Sequence, residues 1–212
     1  RRAEIYKIIR ELCHQWRPFG PSIEATFKAI ATLDAIRAKA RFGLTTQASR
    51  PTIGGKAGFD LKEARNPLLY LRLKELGRRT VSFDLSLDKT NRFLILSGPN
   101  AGGKSVTLKT IGLLHLMAQS GILVTANENS RMSIFHHFFA DIGDQQSLED
   151  DLSTYSSHLA NMRYFLENAD EKTLVLIDEF GSGTDPKIGG GIAEAILKKL
   201  QHIRCFGTVT TH

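Results

Sequence analysis

The octet Gly98-Pro99-Asn100-Ala101-Gly102-Gly103-Lys104-Ser105 fits the pattern G-x-x-x-x-G-K-[ST], and its residue types suit one chemistry, the gripping of a polyphosphate. Glycines let successive backbone N–H groups turn inward around phosphate oxygens, and a helix starting at the end of the loop adds positive potential. Lys104 would neutralise the β- and γ-phosphates of ATP and Ser105 would hold Mg²⁺, with nucleotide contacts running from Gly98 to Val106. A glycine-rich strand-to-helix turn with a stray lysine is the plain alternative, and it loses weight because a second signal lies further along. Leu174-Val175-Leu176-Ile177-Asp178-Glu179 describes an apolar central strand delivering carboxylates at its C-terminal edge, where α/β sheets place their ligands. Asp178 would orient Mg²⁺ through its water shell, and Glu179 is suited to polarise the water that attacks the γ-phosphate. An apolar strand ending in two acids is weak by itself; together with the phosphate loop it reads as a hydrolytic site.

Two further segments could join that site. Thr210-Thr211-His212 follows an apolar stretch, which makes the His212 imidazole a third catalytic candidate beside Lys104 and Glu179. Gly181-Ser182-Gly183-Thr184-Asp185-Pro186 is too flexible and polar to be core and reads as a surface loop following the acids. The cluster Glu149, Asp150, Asp151 admits a metal-site reading, but acids before a helix favour its N-terminus, and the capping reading is preferred. Ser153 then serves as a cap or as a γ-phosphate ligand at that helix end. His136 and His137 lack a carboxylate at ligand spacing and read as strand-edge residues. The adenine contact has no signature; Val81 or a neighbour before the first strand is the candidate.

Elements must position these residues. Apolar runs and periodicity predict strands over 92–97, 133–140, 173–177 and 205–209, and helices over 104–118, 154–166 and 189–201. Short apolar strands separated by helices imply an α/β sheet covered on both faces, with much parallel pairing. Upstream, Ile5, Ile8, Ile9, Leu12 and Trp16 recur at helical spacing. Pro18, Gly20 and Pro21 break that helix, Ser22 caps a second, and Gly43 is its expected stop. Residues 44–80 are mixed, with turns at Pro51, Gly54, Gly55 and Gly58. The expected organisation is a short helical segment over 1–43 and a P-loop nucleotide-hydrolysing domain over 44–212, both ends reading as truncated.

Bulk composition sets the outer limits. With 212 residues, 42% hydrophobic and 24% charged, the chain can form one sizeable domain plus an appendage. No apolar run approaches the roughly 20 residues that cross a bilayer, so no membrane partner is expected. Two isolated cysteines, Cys13 and Cys205, argue against a disulfide or zinc framework and point to a reducing cytoplasm. The net charge of +6 is uneven: residues 1–110 hold 21 Lys and Arg against nine Asp and Glu, and residues 111–212 hold seven against 13. A basic half suits a polyanionic partner and equally suits a solvated surface.

The motifs in this order resemble the ATPase domain of the MutS family, along nearly the whole chain. GPNAGGKS, VLIDEFGSGTDP and TTH resemble its phosphate loop, its Mg²⁺-and-water strand and its switch histidine. Ser153-Thr154-Tyr155 resembles the signature by which one subunit touches its partner's nucleotide. Ala64-Arg65-Asn66-Pro67-Leu68-Leu69 resembles the opening of the domain, and the helices before it resemble the end of the core and lever region. Ser156-Ser157-His158-Leu159 and the Gly181–Pro186 segment depart from mismatch-recognising members and resemble the second bacterial MutS branch. That branch lacks the mismatch-reading domain, often carries a nuclease domain, and is associated with branched DNA, suppression of recombination and collided ribosomes. The resemblance implies an ABC/MutS-like P-loop sheet and a homodimer whose ATP sites are completed by Ser153 and Asp185 reaching across. It implies DNA, branched or mismatched, as partner, with the ribosome as the alternative. A transport ATPase of the ABC class would need an L-S-G-G-Q-like signature, and none occurs.

Overall fold

The computed structural model describes residues 1–55, 57–99, 102–143, 151–182 and 184–211, with the backbone alone for 151–155. The chain divides into two compact units, Arg1–Phe42 and Gly43–His212. The first unit is helical. It holds α1 (Arg2–Trp16), a 3-10 turn over Arg17–Phe19, and most of α2 (Gly20–Thr46). Pro18 lies inside the 3-10 turn, where its missing N–H costs least. No residue of α1 is buried, and the apolar stripe from Ile5 to Ile36 is exposed.

Two expectations for α2 are corrected. The helix starts at Gly20 rather than after a Ser22 cap, and it runs through Gly43 to Thr46. Gly43 is not a stop signal but a close approach: a Cβ there would meet Leu123 Cδ1 at 2.6 Å.

The second unit is mixed α/β and carries two sheets among the described residues. One has the order β1-β5-β2-β3, built from β1 (Thr52–Ile53), β2 (Phe59–Ala64), β3 (Phe83–Leu87) and β5 (Arg131–Met132). The β2/β3 pair is antiparallel, with an irregularity between Leu61 and Ala64. Between them α3 (Pro67–Glu75) is capped by Asn66, whose side chain accepts from the N–H groups of Leu68 and Leu69.

The other sheet has the order β4-β8-β7-β6 and is parallel throughout. Its strands are β4 (Phe93–Ser97), β6 (His137–Asp141), β7 (Thr173–Ile177) and β8 (Phe206–Thr211). Every residue of β7 is buried, as a central parallel strand requires. The helices α4 (Lys104–Gln119), α5 (Asp151–Asn168) and α6 (Pro186–Ile203) alternate with these strands. On one side Met162, Phe165, Val175, Ile177, Leu200 and Val209 form a continuous core.

The strand expected over 133–140 is shorter. The 133–136 backbone is spoken for elsewhere: Ser133 N–H donates to Gly58, His136 N–H donates to Lys172, and the Gln119 amide bonds both backbone groups of Phe135. Pairing with β7 begins only at His137. Both cysteines are free; burial pushes the Cys205 thiol up to about 12, so it behaves as an apolar side chain. No helix among the described residues is long and apolar enough to cross a membrane.

Candidate active site

Strand order creates the site. β8 lies between β4 and β7, so the loop after β4 and the acids after β7 flank one strand at the same sheet edge. After β4 the chain turns at Gly98, with φ 134°, and Gly103, with φ 80°. Gly103 is the N-cap of α4 and provides no side-chain cap. The first-turn N–H groups of α4 are therefore not closed off by their own N-cap, and a helix N-terminus of this kind favours an anion. Lys104 is buried at 7% exposure and its ammonium donates to the Gly98 carbonyl, folding back along the loop. Asn100 and Ala101 lie outside the described residues. Pro99 accepts from Gly102 N–H at 3.0 Å, and Val106 is exposed on the first turn.

Ser105 Oγ donates to Asp178 Oδ1 at 3.0 Å. The two residues are 73 positions apart in sequence, and the sheet brings the phosphate loop and the strand-end acid into direct contact. Asp178 is 8% exposed, and its N–H donates to the Asp141 carbonyl at the end of β6. Glu179 follows with φ 51°, a left-handed conformation that costs a non-glycine residue roughly 1–3 kcal/mol and persists only where neighbours impose it. The next residues turn at Gly181, φ 85°. Asp185 caps α6 by accepting from the N–H groups of Lys187 and Ile188, with Pro186 in the first turn. His212 lies outside the described residues, as do the Glu149 and Asp150 positions and the side chains of Asp151 and Ser153. Val81 is 89% exposed.

Two features escaped the sequence reading. The first is a tether from α5 to the sheet: His158 Nδ1 lies 2.5 Å from Asp141 Oδ2, and Asn161 Nδ2 donates to Asp141 Oδ1 at 2.8 Å. Its one visible signal is His158 itself, in the segment that departs from mismatch-recognising proteins. With Asp178 and Glu179, Asp141 and His158 line a small cavity of about 30 Å³, room for a water or two. The second is Thr210, whose hydroxyl bonds to both acid residues; nothing in a β-strand threonine announces this. Behind the loop, α4 also carries His115, fully buried and edge-on to Phe59. Desolvation pushes its pKa down to about 4, opposed by its contact with the Ile111 carbonyl. The neutral ring donates from Nδ1 to that carbonyl.

A glycine-wrapped helix N-terminus beside an acid-tipped central strand defines a class of site, and the chain belongs to the MutS family: the profile described as MutS domain V matches residues 94–212. Its relatives narrow the branch. The protein called Endonuclease MutS2 in Pediococcus pentosaceus is 42% identical over 99% of this chain and 26% of its own length. Proteins of the same name in Carboxydothermus hydrogenoformans and Caldicellulosiruptor saccharolyticus are 42% and 43% identical, over 98% and 100% of this chain. This is the second MutS branch, to which the motif departures point. The chain spans about a quarter of the length of these relatives.

Proposed function

We propose that this chain is the P-loop, Mg²⁺-dependent ATP-binding and ATP-hydrolysing domain of a MutS-like DNA-processing protein. The observation that carries the reading is the Ser105–Asp178 contact of 3.0 Å. It joins a phosphate-loop hydroxyl to a buried carboxylate, two hard oxygen donors of the kind Mg²⁺ takes. Ser105 would hold Mg²⁺ directly, and Asp178 beside it would orient the ion through its water shell. Bound there, Mg²⁺ would neutralise charge on the β- and γ-phosphate oxygens.

The chain's own residues do the rest. The backbone from Gly98 to Val106 wraps the phosphates, and Lys104 exchanges the Gly98 carbonyl for phosphate oxygens. Glu179 takes the proton of the attacking water, held in its left-handed conformation at the end of β7. His212, next in sequence after β8, takes the part of the switch histidine that the resemblance implies. In the assembled protein a second subunit completes the site through Ser153 and Asp185. The proposed role is DNA repair by suppression of homologous recombination, through binding of branched DNA in the cytoplasm. Collided ribosomes and mismatched DNA are the alternative targets. Strand cleavage, which the name of the relatives mentions, is not assigned to these residues.

The test is steady-state phosphate release with Mg-ATP, beside calorimetry, on the parent and Glu179→Gln in the intact protein. The variant should bind Mg-ATP as the parent does and turn over roughly 10²- to 10⁴-fold more slowly. Equal silence of both proteins would sink the enzyme reading, and folded protein that binds no Mg-nucleotide would sink the nucleotide reading. Competition between four-way DNA junctions and stalled ribosomes decides the target, with displacement by junction DNA expected.

A further inference from the structure

We infer that Thr210 is a positioning residue for hydrolysis, setting both acids of the site through one hydroxyl; this rests on the hydrolytic reading above. β8 is the strand between β4 and β7, and its side chains alternate between the two faces of the sheet. Thr208 and Thr210 therefore share a face, and both are completely buried, yet they are used differently. Among the described residues the Thr208 hydroxyl has no hydrogen-bond partner. The Thr210 hydroxyl donates to Asp178 Oδ1 at 2.5 Å and accepts from Glu179 N–H at 2.8 Å. Its carbonyl accepts from Phe180 N–H, also at 2.8 Å. Three successive residues after β7 are thus registered on one residue of β8.

The consequences differ for the two acids. Asp178 Oδ1 accepts from Ser105 as well as from Thr210. The Thr210 bond keeps that carboxylate oriented when Ser105 is drawn to another partner. Glu179 occupies a left-handed backbone conformation, and the hydroxyl of Thr210 fixes its N–H in that conformation. Direction of the carboxylate follows from backbone torsion, so this bond sets where Glu179 points. Groups that orient ligands and bases in this way are worth about 10- to 100-fold in activity when removed. A burial role alone would be served equally by valine, as Thr208 already illustrates with its unpartnered hydroxyl.

The experiment compares the intact parent protein with Thr210→Val, Thr210→Ser, Thr208→Val and Glu179→Gln, in Mg-ATP turnover, nucleotide affinity and thermal unfolding. Thr210→Val should lower kcat by roughly 10- to 100-fold, with KM for ATP and nucleotide affinity unchanged. Thr210→Ser should recover most of kcat, and Thr208→Val should match the parent. If Thr210→Val does not fold, Thr210→Ala supplies the loss and the serine variant the rescue. An active parent with Thr210→Val turning over equally fast overturns the inference and leaves the hydrolytic reading intact. So does a loss that tracks only unfolding and is not rescued by serine. An inactive parent, no faster than Glu179→Gln, overturns both.

Discussion

At the scale of single residues, His115 shows how the helix that starts at the phosphate loop is anchored. Its imidazole is sealed between Phe59 and Phe135, and burial holds its pKa at about 4 rather than 6.5. The unfolded chain takes up this proton near pH 6.5, whereas the native state refuses it until about pH 4. The stability contribution is therefore complete above pH 6.5 and drains away as pH falls through that window, by on the order of 3 kcal/mol in total. Denaturant unfolding between pH 7 and 4 should show this slope, and His115→Leu should remove one proton's share of it. A variant with the parent's pH slope would mean that another group is responsible.

The elements impose constraints of their own. α6 lies against the loop that follows the acids so closely that a Cβ on Gly189 would sit 2.3 Å from the Gly181 carbonyl oxygen. That neighbour is backbone and cannot swing aside. Gly189→Ala should therefore destabilise the fold by roughly 1–3 kcal/mol and displace the Glu179–Asp185 loop, lowering turnover more than ATP affinity. Calorimetric unfolding and phosphate release check the two parts; full activity at unchanged stability would refute the close-packed reading. On the other flank, His158 and Asn161 hold α5 to Asp141, whose carbonyl in turn receives Asp178 N–H. Removing both side chains leaves a buried carboxylate at 7% exposure without these two donors, an expensive state. The double variant His158→Ala/Asn161→Ala should unfold at lower denaturant, with faster hydrogen exchange in α5. Asp141→Asn added to it should recover part of the loss by removing the buried charge.

For the whole molecule, the question is what completes the ATP site. Ser153 stands in the first turn of α5, and the tether just described determines where that helix end is presented. In the assembled protein, Ser153→Ala is expected to slow hydrolysis while leaving nucleotide affinity nearly intact, because in the proposed dimer the serine would serve the partner's site rather than its own. Mixing Ser153→Ala with Glu179→Gln subunits sharpens the point. A heterodimer pairs both lesions in one site and leaves the other whole, so mixtures should exceed the activity of either variant alone. Mixtures no better than the average of the two would discard the shared site.

Much of the site and part of the fold could be read from residue order. The phosphate loop, the acid-tipped strand over 173–177 and the alternation of strands with helices are local patterns: periodicity, glycine placement and a run of apolar residues. These depend on neighbours a few positions apart, and sequence carries such information directly. β2 and β3 were missed because Phe59-Asp60-Leu61 and Phe83-Asp84-Leu85 are short alternations interrupted by charge. Their pairing is an agreement between segments that no single segment announces. Gly43 misled for a related reason: a glycine required by a close neighbour looks the same in sequence as one that ends a helix.

What belonged to the tertiary structure alone was the company each residue keeps. Strand order put β8 between the loop and the acids. Thr210 thereby became a partner of Asp178 and Glu179, while Thr208, two positions earlier with the same side chain, acquired none among the described residues. Asp141 and His158 likewise became a pair only when α5 folded over the end of β6. Hydrogen bonds reach about 3 Å, and which groups come within that distance is decided by long-range packing, not by residue type.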